Sequence, residues 1–182
     1  KVQESWSEWS RGLGFLRNAS VKKAVSGLAA GMLLLVSLGA NAVLISVSPA
    51  AQTVSVGDSV FVDVVISDLG AGGPPSIGGF DIDVVFDTAI LSPVSVTFGT
   101  GLDVLGLGSI LGVSGLGPVN VFEVSLDSIA DLYALQPGAF TLFTMGFDAI
   151  AIGMSGIDLV VNELTTATGN SIQNFDNVAP GE

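Results

Sequence analysis

Asp81 and Asp83 stand two residues apart in the alternating stretch Phe80-Asp81-Ile82-Asp83-Val84-Val85-Phe86, a spacing that puts both carboxylates on one side of a strand. Paired acids can cleave a glycosidic bond, hold a hard cation, or accept hydrogen bonds from a partner. Little other chemistry is open to this chain. Its 182 residues include no histidine and no cysteine, and its five cations, Lys1, Arg11, Arg17, Lys22 and Lys23, all lie at the N-terminal end. Beyond Lys23 this excludes nucleophilic triads, imidazole bases, basic phosphate clamps and histidine or cysteine zinc sites. A two-carboxylate glycosidase needs its acids about 5–9.5 Å apart across a cleft, and no pair among so many acids is marked out for that role. The expectation is a protein that is not an enzyme.

No loop carries a dense Asp-x-Asp-x-Asp-Gly pattern, so no cofactor is expected; a structural calcium at Asp81 and Asp83 is the alternative. Sugar platforms use exposed tryptophan or tyrosine rings. Here Trp6 and Trp9 precede Lys22-Lys23, and Tyr133 is the one tyrosine. Of the 17 acidic residues only Glu4 and Glu8 lie before Lys23. Such a charge repels nucleic acid and anionic membranes, and favours cationic partners or plain solubility.

The charge boundary coincides with an export signal. Lys22-Lys23 is followed by an apolar run from Ala24 to Leu38, with Ala40 and Ala42 at the third and first positions before a cut after Ala42. Asn41 interrupts the apolar character that resumes at Val43, whereas a membrane-spanning helix wants about 20 continuous apolar residues. The chain therefore divides into a leader at 1–20, read as translated upstream sequence ahead of a start at Val21, then a helical signal peptide at 21–42, a folded domain at 43–174 and an acidic tail at 175–182. Without cysteine the exported part draws nothing from an oxidising compartment.

The elements that must position the acids are strands. Alternation predicts strands at Val43–Val47, Ser59–Ser67, Phe80–Phe86, Val94–Phe98, Val119–Leu126, Ala139–Ala149 and Ile157–Val161, with a last one at Thr166–Ile172. Leu69–Gly79 is a loop, Asp87–Leu91 a turn that tucks Leu91 into the core, and Asp127–Leu135 the one helical turn. The glycine-rich stretch Gly99–Gly117 has room for one irregular strand near Leu102–Leu111. About nine short strands separated by turn residues describe an all-β antiparallel β-sandwich.

Two segments carry a family resemblance. Val54-Ser55-Val56-Gly57-Asp58-Ser59-Val60-Phe61-Val62-Asp63-Val64 resembles the opening of a cohesin module, a valine-rich strand, a Gly-Asp turn and a second alternating strand. Gly78-Gly79-Phe80-Asp81-Ile82-Asp83-Val84-Val85-Phe86-Asp87, followed by Ile90-Leu91, is similar to the family's most specific stretch, with Thr88 where a proline is usual. The resemblance runs from about Val43 to Asn174 and implies a nine-stranded jelly-roll sandwich that is non-catalytic and binds dockerin modules through one sheet face. It implies that Asp81 contacts the partner, that Asp83 and Val85 share its face, and that Asn120, Glu123 and Asp127 lie on or near a neighbouring strand.

The Gly-, Val- and Asp-rich, lysine-poor style also resembles exported cohesin-like proteins of Gram-negative bacteria that make exopolysaccharide, many ending in a PEP-CTERM sorting signal. Asn177–Glu182 shows neither the helix nor the arginines of that signal, so the chain reads as a truncated relative or a freely released one. The expectation is a secreted or cell-surface interaction module with a dockerin-like partner. A polysaccharide-binding matrix protein and a self-associating subunit are the alternatives, and the membrane is met only through the signal segment. N-terminal peptide mapping of the exported protein is expected to begin at Val43. A peptide containing Trp6 or Trp9 in native material would overturn the reading of residues 1–20.

Overall fold

The computed structural model describes residues 42–178, so the leader and nearly all of the expected signal segment lie outside the described residues. Alternation is the organising signal. In β2 (Ser59–Ser67) Val60, Val62, Val64 and Ile66 are buried, while Phe61 between them is exposed. In β3 (Ile77–Phe86) Phe80, Ile82, Val84 and Phe86 face in and Asp81, Asp83 and Val85 face out. The remaining strands are β1 (Val43–Ser48), β4 (Leu91–Phe98), β5 (Ser109–Ser114), β6 (Val119–Ser125), β7 (Phe140–Ala149), β8 (Ile157–Thr166) and β9 (Phe175–Val178), with one helix, α1 (Ile129–Leu135).

These strands form two sheets, a five-stranded one in the order β4-β7-β2-β1-β9 and a four-stranded one in the order β5-β6-β3-β8. The described strands thus make the all-β, jelly-roll sandwich that the sequence predicts. The pairings are antiparallel except that of β1 with β9. Phenylalanines bridge the two layers. Phe80 of β3 stacks on Phe143 of β7 at 5.7 Å between ring centres, and Phe86 meets Phe147 edge-on at 4.9 Å. The core drawn from both sheets lies within a compact unit at 41–182.

Four expectations are corrected. The strand expected near Leu102–Leu111 begins only at Ser109, because Gly106 and Gly108 take positive φ angles that break extension, and Leu102 is a buried anchor in an irregular loop. The strand expected at Thr166–Ile172 is mostly a turn around Gly169, closed by one bridge between Thr165 and Ser171. The final strand is β9, so the sandwich continues through the first half of the expected tail at 175–182. Its pattern is illegible from the local sequence because its partner β1 lies at the other end of the domain; Phe175 packs against the core. β3 also starts earlier than alternation shows. Gly78 and Gly79 belong to it, and a Cβ on Gly79 would lie 2.9 Å from the carbonyl oxygen of Glu123.

α1 is short, and tertiary bonds hold it. Ser128 caps its N-terminus by accepting from the Asp131 N–H, and Gln136 follows its C-terminus. Gln136 is 1% exposed, so its amide must be satisfied internally. Its Oε1 accepts from the Ile77 N–H at 2.8 Å, and its Nε2 donates to the carbonyls of Ile77 at 3.0 Å and Gly101 at 2.9 Å. One side chain thereby ties the end of α1 to the start of β3 and to the irregular loop. Gln136→Ala is expected to lower unfolding stability by about 2–4 kcal/mol in urea titrations of residues 41–182, since it strips three buried bonds at once. Gln136→Glu keeps the acceptor but loses both donated bonds, and is expected to be no better.

Candidate partner-binding face

β3 lies between β6 and β8, so its outward side chains sit in the middle of a sheet face. The register sets Asp83 opposite Asn120 and Asp81 opposite Phe122 on β6. On the other side Asp81 faces Glu163, Asp83 faces Val160 and Val85 faces Asp158 of β8. Asp81, Asp83 and Val85 share one surface, as their spacing predicts, and the register of β6 brings Asn120 to it.

The two aspartates are joined by a neutral side chain. Asn120 Nδ2 donates to Asp81 Oδ1 at 2.6 Å and to Asp83 Oδ1 at 2.8 Å, using both protons of one amide. Asn162 Nδ2 adds a longer bond to Asp81 Oδ1 at 3.2 Å. Among the described residues no donor reaches Oδ2 of either aspartate, which leaves that oxygen of each as an acceptor for another molecule. A glycosidase pair must hold substrate between its two acids; here an asparagine amide occupies that position. Among the described residues no group of three or more acids is arranged to hold a metal ion.

Asp158, Asn162 and Glu163 join this face: Asp158 has the outward parity of Val160 within the predicted strand, whereas Asn162 and Glu163 lie beyond its end. The predicted strand there stops at Val161, and a register shift opposite Asp81 and Ile82 inserts an extra residue into β8, which resets its parity. Asn162 keeps the parity of Asp158 and Val160 and reaches Asp81; the residue whose outward placement simple alternation along β8 does not reveal is Glu163. Val160 is 49% exposed beside Asp83 and, with Val85, gives the acid cluster an apolar border.

Two expected face residues are elsewhere. Glu123 has the parity of the buried Val119 and Val121, so its side chain turns inward and is only 2% exposed. Ser109 Oγ donates to its Oε1 at 2.6 Å. Burial raises the Glu123 pKa above the usual carboxylate value; the Ser109 bond opposes that rise, and the charge of Asp103 adds to it. Asp127 follows β6 and serves the irregular loop, its Oδ2 accepting from the Val104 N–H at 2.7 Å. Its Oδ1 is buried and has no hydrogen-bond partner. Position along a strand and its flank places these two acids near the face but not on it.

No protein-family model matches the chain, and no curated protein does. Solved structures are similar in fold. The second type II cohesin module of the adaptor scaffoldin ScaA from Acetivibrio cellulolyticus aligns with a TM-score of 0.62 at 18% identity, covering 77% of this chain and 88% of that one. A cohesin in a type I cohesin–dockerin complex from Clostridium thermocellum gives 0.61 at 13% identity over 76% of this chain and 96% of that one. A non-cellulosomal cohesin from the archaeon Archaeoglobus fulgidus gives 0.51 at 15% identity, with 76% and 86% covered. The chain has a cohesin-like fold.

The Glu123 environment yields a signed pH effect. A carboxyl whose folded pKa is raised stabilises the fold below its unfolded pKa and loses that contribution as pH rises through the folded value. Glu123→Gln keeps an acceptor for Ser109 and removes the charge. The variant is expected to be more stable than the wild type at pH 7, with the difference closing towards about pH 4, the ordinary glutamate range. Paired urea midpoints across pH measure it, and a pH-independent difference would refute the assignment.

Proposed function

We propose that this chain is an exported, non-catalytic interaction module that captures a dockerin-like protein partner on the outward face of β5-β6-β3-β8. The observation that carries the reading is the amide bridge of Asn120, which holds Asp81 and Asp83 side by side with one oxygen of each still available. Fixed acceptors on a strand at the middle of a sheet suit a partner that presents hydroxyl, lysine or arginine donors, because the ordering cost is already met within the module. The likeness in fold to cohesins, one of them in a complex with a dockerin, supports the choice of partner class. The signal-like segment before Val43 supports a place outside the cell, in the matrix or on the surface.

The test is calorimetric titration of residues 41–182 with a panel of dockerin modules, beside affinity electrophoresis in a panel of polysaccharides. A dockerin that binds is expected to lose about 10–100-fold in affinity to Asp81→Ala, the scale of one charge-assisted hydrogen bond. Asp148→Ala on the opposite sheet is expected to change nothing, and circular dichroism to be the same for all three proteins. Equal binding by Asp81→Ala would remove this face from the interaction. Retention in a polysaccharide gel without binding to any dockerin would replace the partner class.

A further inference from the structure

The two sheets end in four edge strands, and three of these carry features that obstruct pairing with another chain. β4 contains Pro93, with a register shift between Pro93 and Ser95. β8 carries Asp158 and Glu163 together with its own shift. β9 is four residues long and includes Asp176. Proline, irregularity, charge and shortness are the ordinary protections of a sheet edge. β5 has none of them. Its six residues, Ser109-Ile110-Leu111-Gly112-Val113-Ser114, pair with β6 in unbroken register and contain neither a charge nor a proline.

This edge is also apolar on both sides. Ile110 is 55% exposed, Leu111 50% and Val113 48%, with Leu107 ahead of the strand at 71% and Val124 beside it at 46%. The run from Val104 to Phe122 is the longest after Asp58 that contains no acid. An unprotected, uncharged edge on a strongly acidic domain is the place where two copies can approach with least mutual repulsion.

We infer that β5 pairs antiparallel with β5 of a second copy of this chain about a two-fold axis. Centred on Gly112, the strand is self-complementary: Leu111 of each copy lies opposite Val113 of the other, and Ile110 opposite Ser114, with no like charges brought together. A basic partner of the kind suited to Asp81 finds no carboxylate on β5 to hold it, so the occupant of this edge is the second copy. The pairing joins two four-stranded sheets into one and sets both Asp81–Asp83 pairs on the same side of it. It does not rest on the dockerin reading.

Sedimentation of residues 41–182 across a wide range of protein concentration tests the inference. Val113→Asp places like carboxylates near the axis, Ile110→Glu does so from the other side of the strand, and Val160→Asp makes a matched change on the opposite edge of the same sheet. The wild type and Val160→Asp are expected to dimerise. At least one of the two β5 variants, with an unchanged β-type circular dichroism spectrum, is expected to weaken the dimer tenfold or more. A wild type monomeric at every concentration, dimerisation of both folded β5 variants as tight as the wild type, or an equal loss in Val160→Asp would overturn it.

Discussion

Beyond Lys23 this chain must accommodate its carboxylates without a single cation, and that constraint reaches into every part of the sandwich. The donors are neutral throughout the described domain. Hydroxyls serve Asp63 from Thr144, Asp148 from Ser59 and Glu123 from Ser109. Backbone N–H groups serve Asp58 from Ser55, Asp87 from Ala89, Asp103 from Gly108 and Asp127 from Val104. Asn120 and Asn162 serve the aspartates of β3. Neutral donors satisfy some of the lone pairs but leave the charge in place. Turns and loops gain order from their acids in this way, and the domain keeps its negative charge.

The same economy shapes the interior. A helix of seven residues and a loop broken by positive-φ glycines have little propensity to order themselves. Gln136 supplies a buried amide where an ion pair could serve in a chain with cations, and it does so without the desolvation cost of two buried charges. Asp103 and Asp127 complete the loop from its two flanks, each accepting a backbone N–H. Glu123 is the exception, an acid taken out of water with a hydroxyl as its donor, and its raised pKa is the physical signature of that placement.

Legibility in the sequence follows the period of each element. Where a strand alternates without interruption, parity determines the facing of its side chains, so the spacing of Asp81, Asp83 and Val85 is enough to place them on one face, while Asn120 needs the register of β6 against β3. Parity also places Glu123 inside, in step with Val119 and Val121, whereas its nearness to Asn120 suggests the face. A register shift hides what lies beyond it, and for that reason the outward placement of Glu163 escapes the alternation. β9 escapes because a parallel pairing between the two ends of the domain leaves no local pattern. The jelly-roll layering is recoverable from strand periodicity and the cohesin resemblance; the register of its last strand is not.

Two aspartates on one face of a strand, sharing a single amide, make an expensive arrangement for stability alone. Like charges at that spacing repel, and a change to Ser or Thr at either position would keep an acceptor for Asn120 and remove the repulsion. Asn120 offsets the cost only in part, because an amide has no net charge to set against two carboxylates. The bridge does fix the direction of both groups, so Oδ1 of each points to Asn120 and Oδ2 is left over. Under the proposed function, a cationic group of the partner set against those two oxygens relieves the repulsion and meets acceptors whose rotamers are already restricted. On that reading the pair is kept for its partner, with Asn120 holding both carboxylates in register.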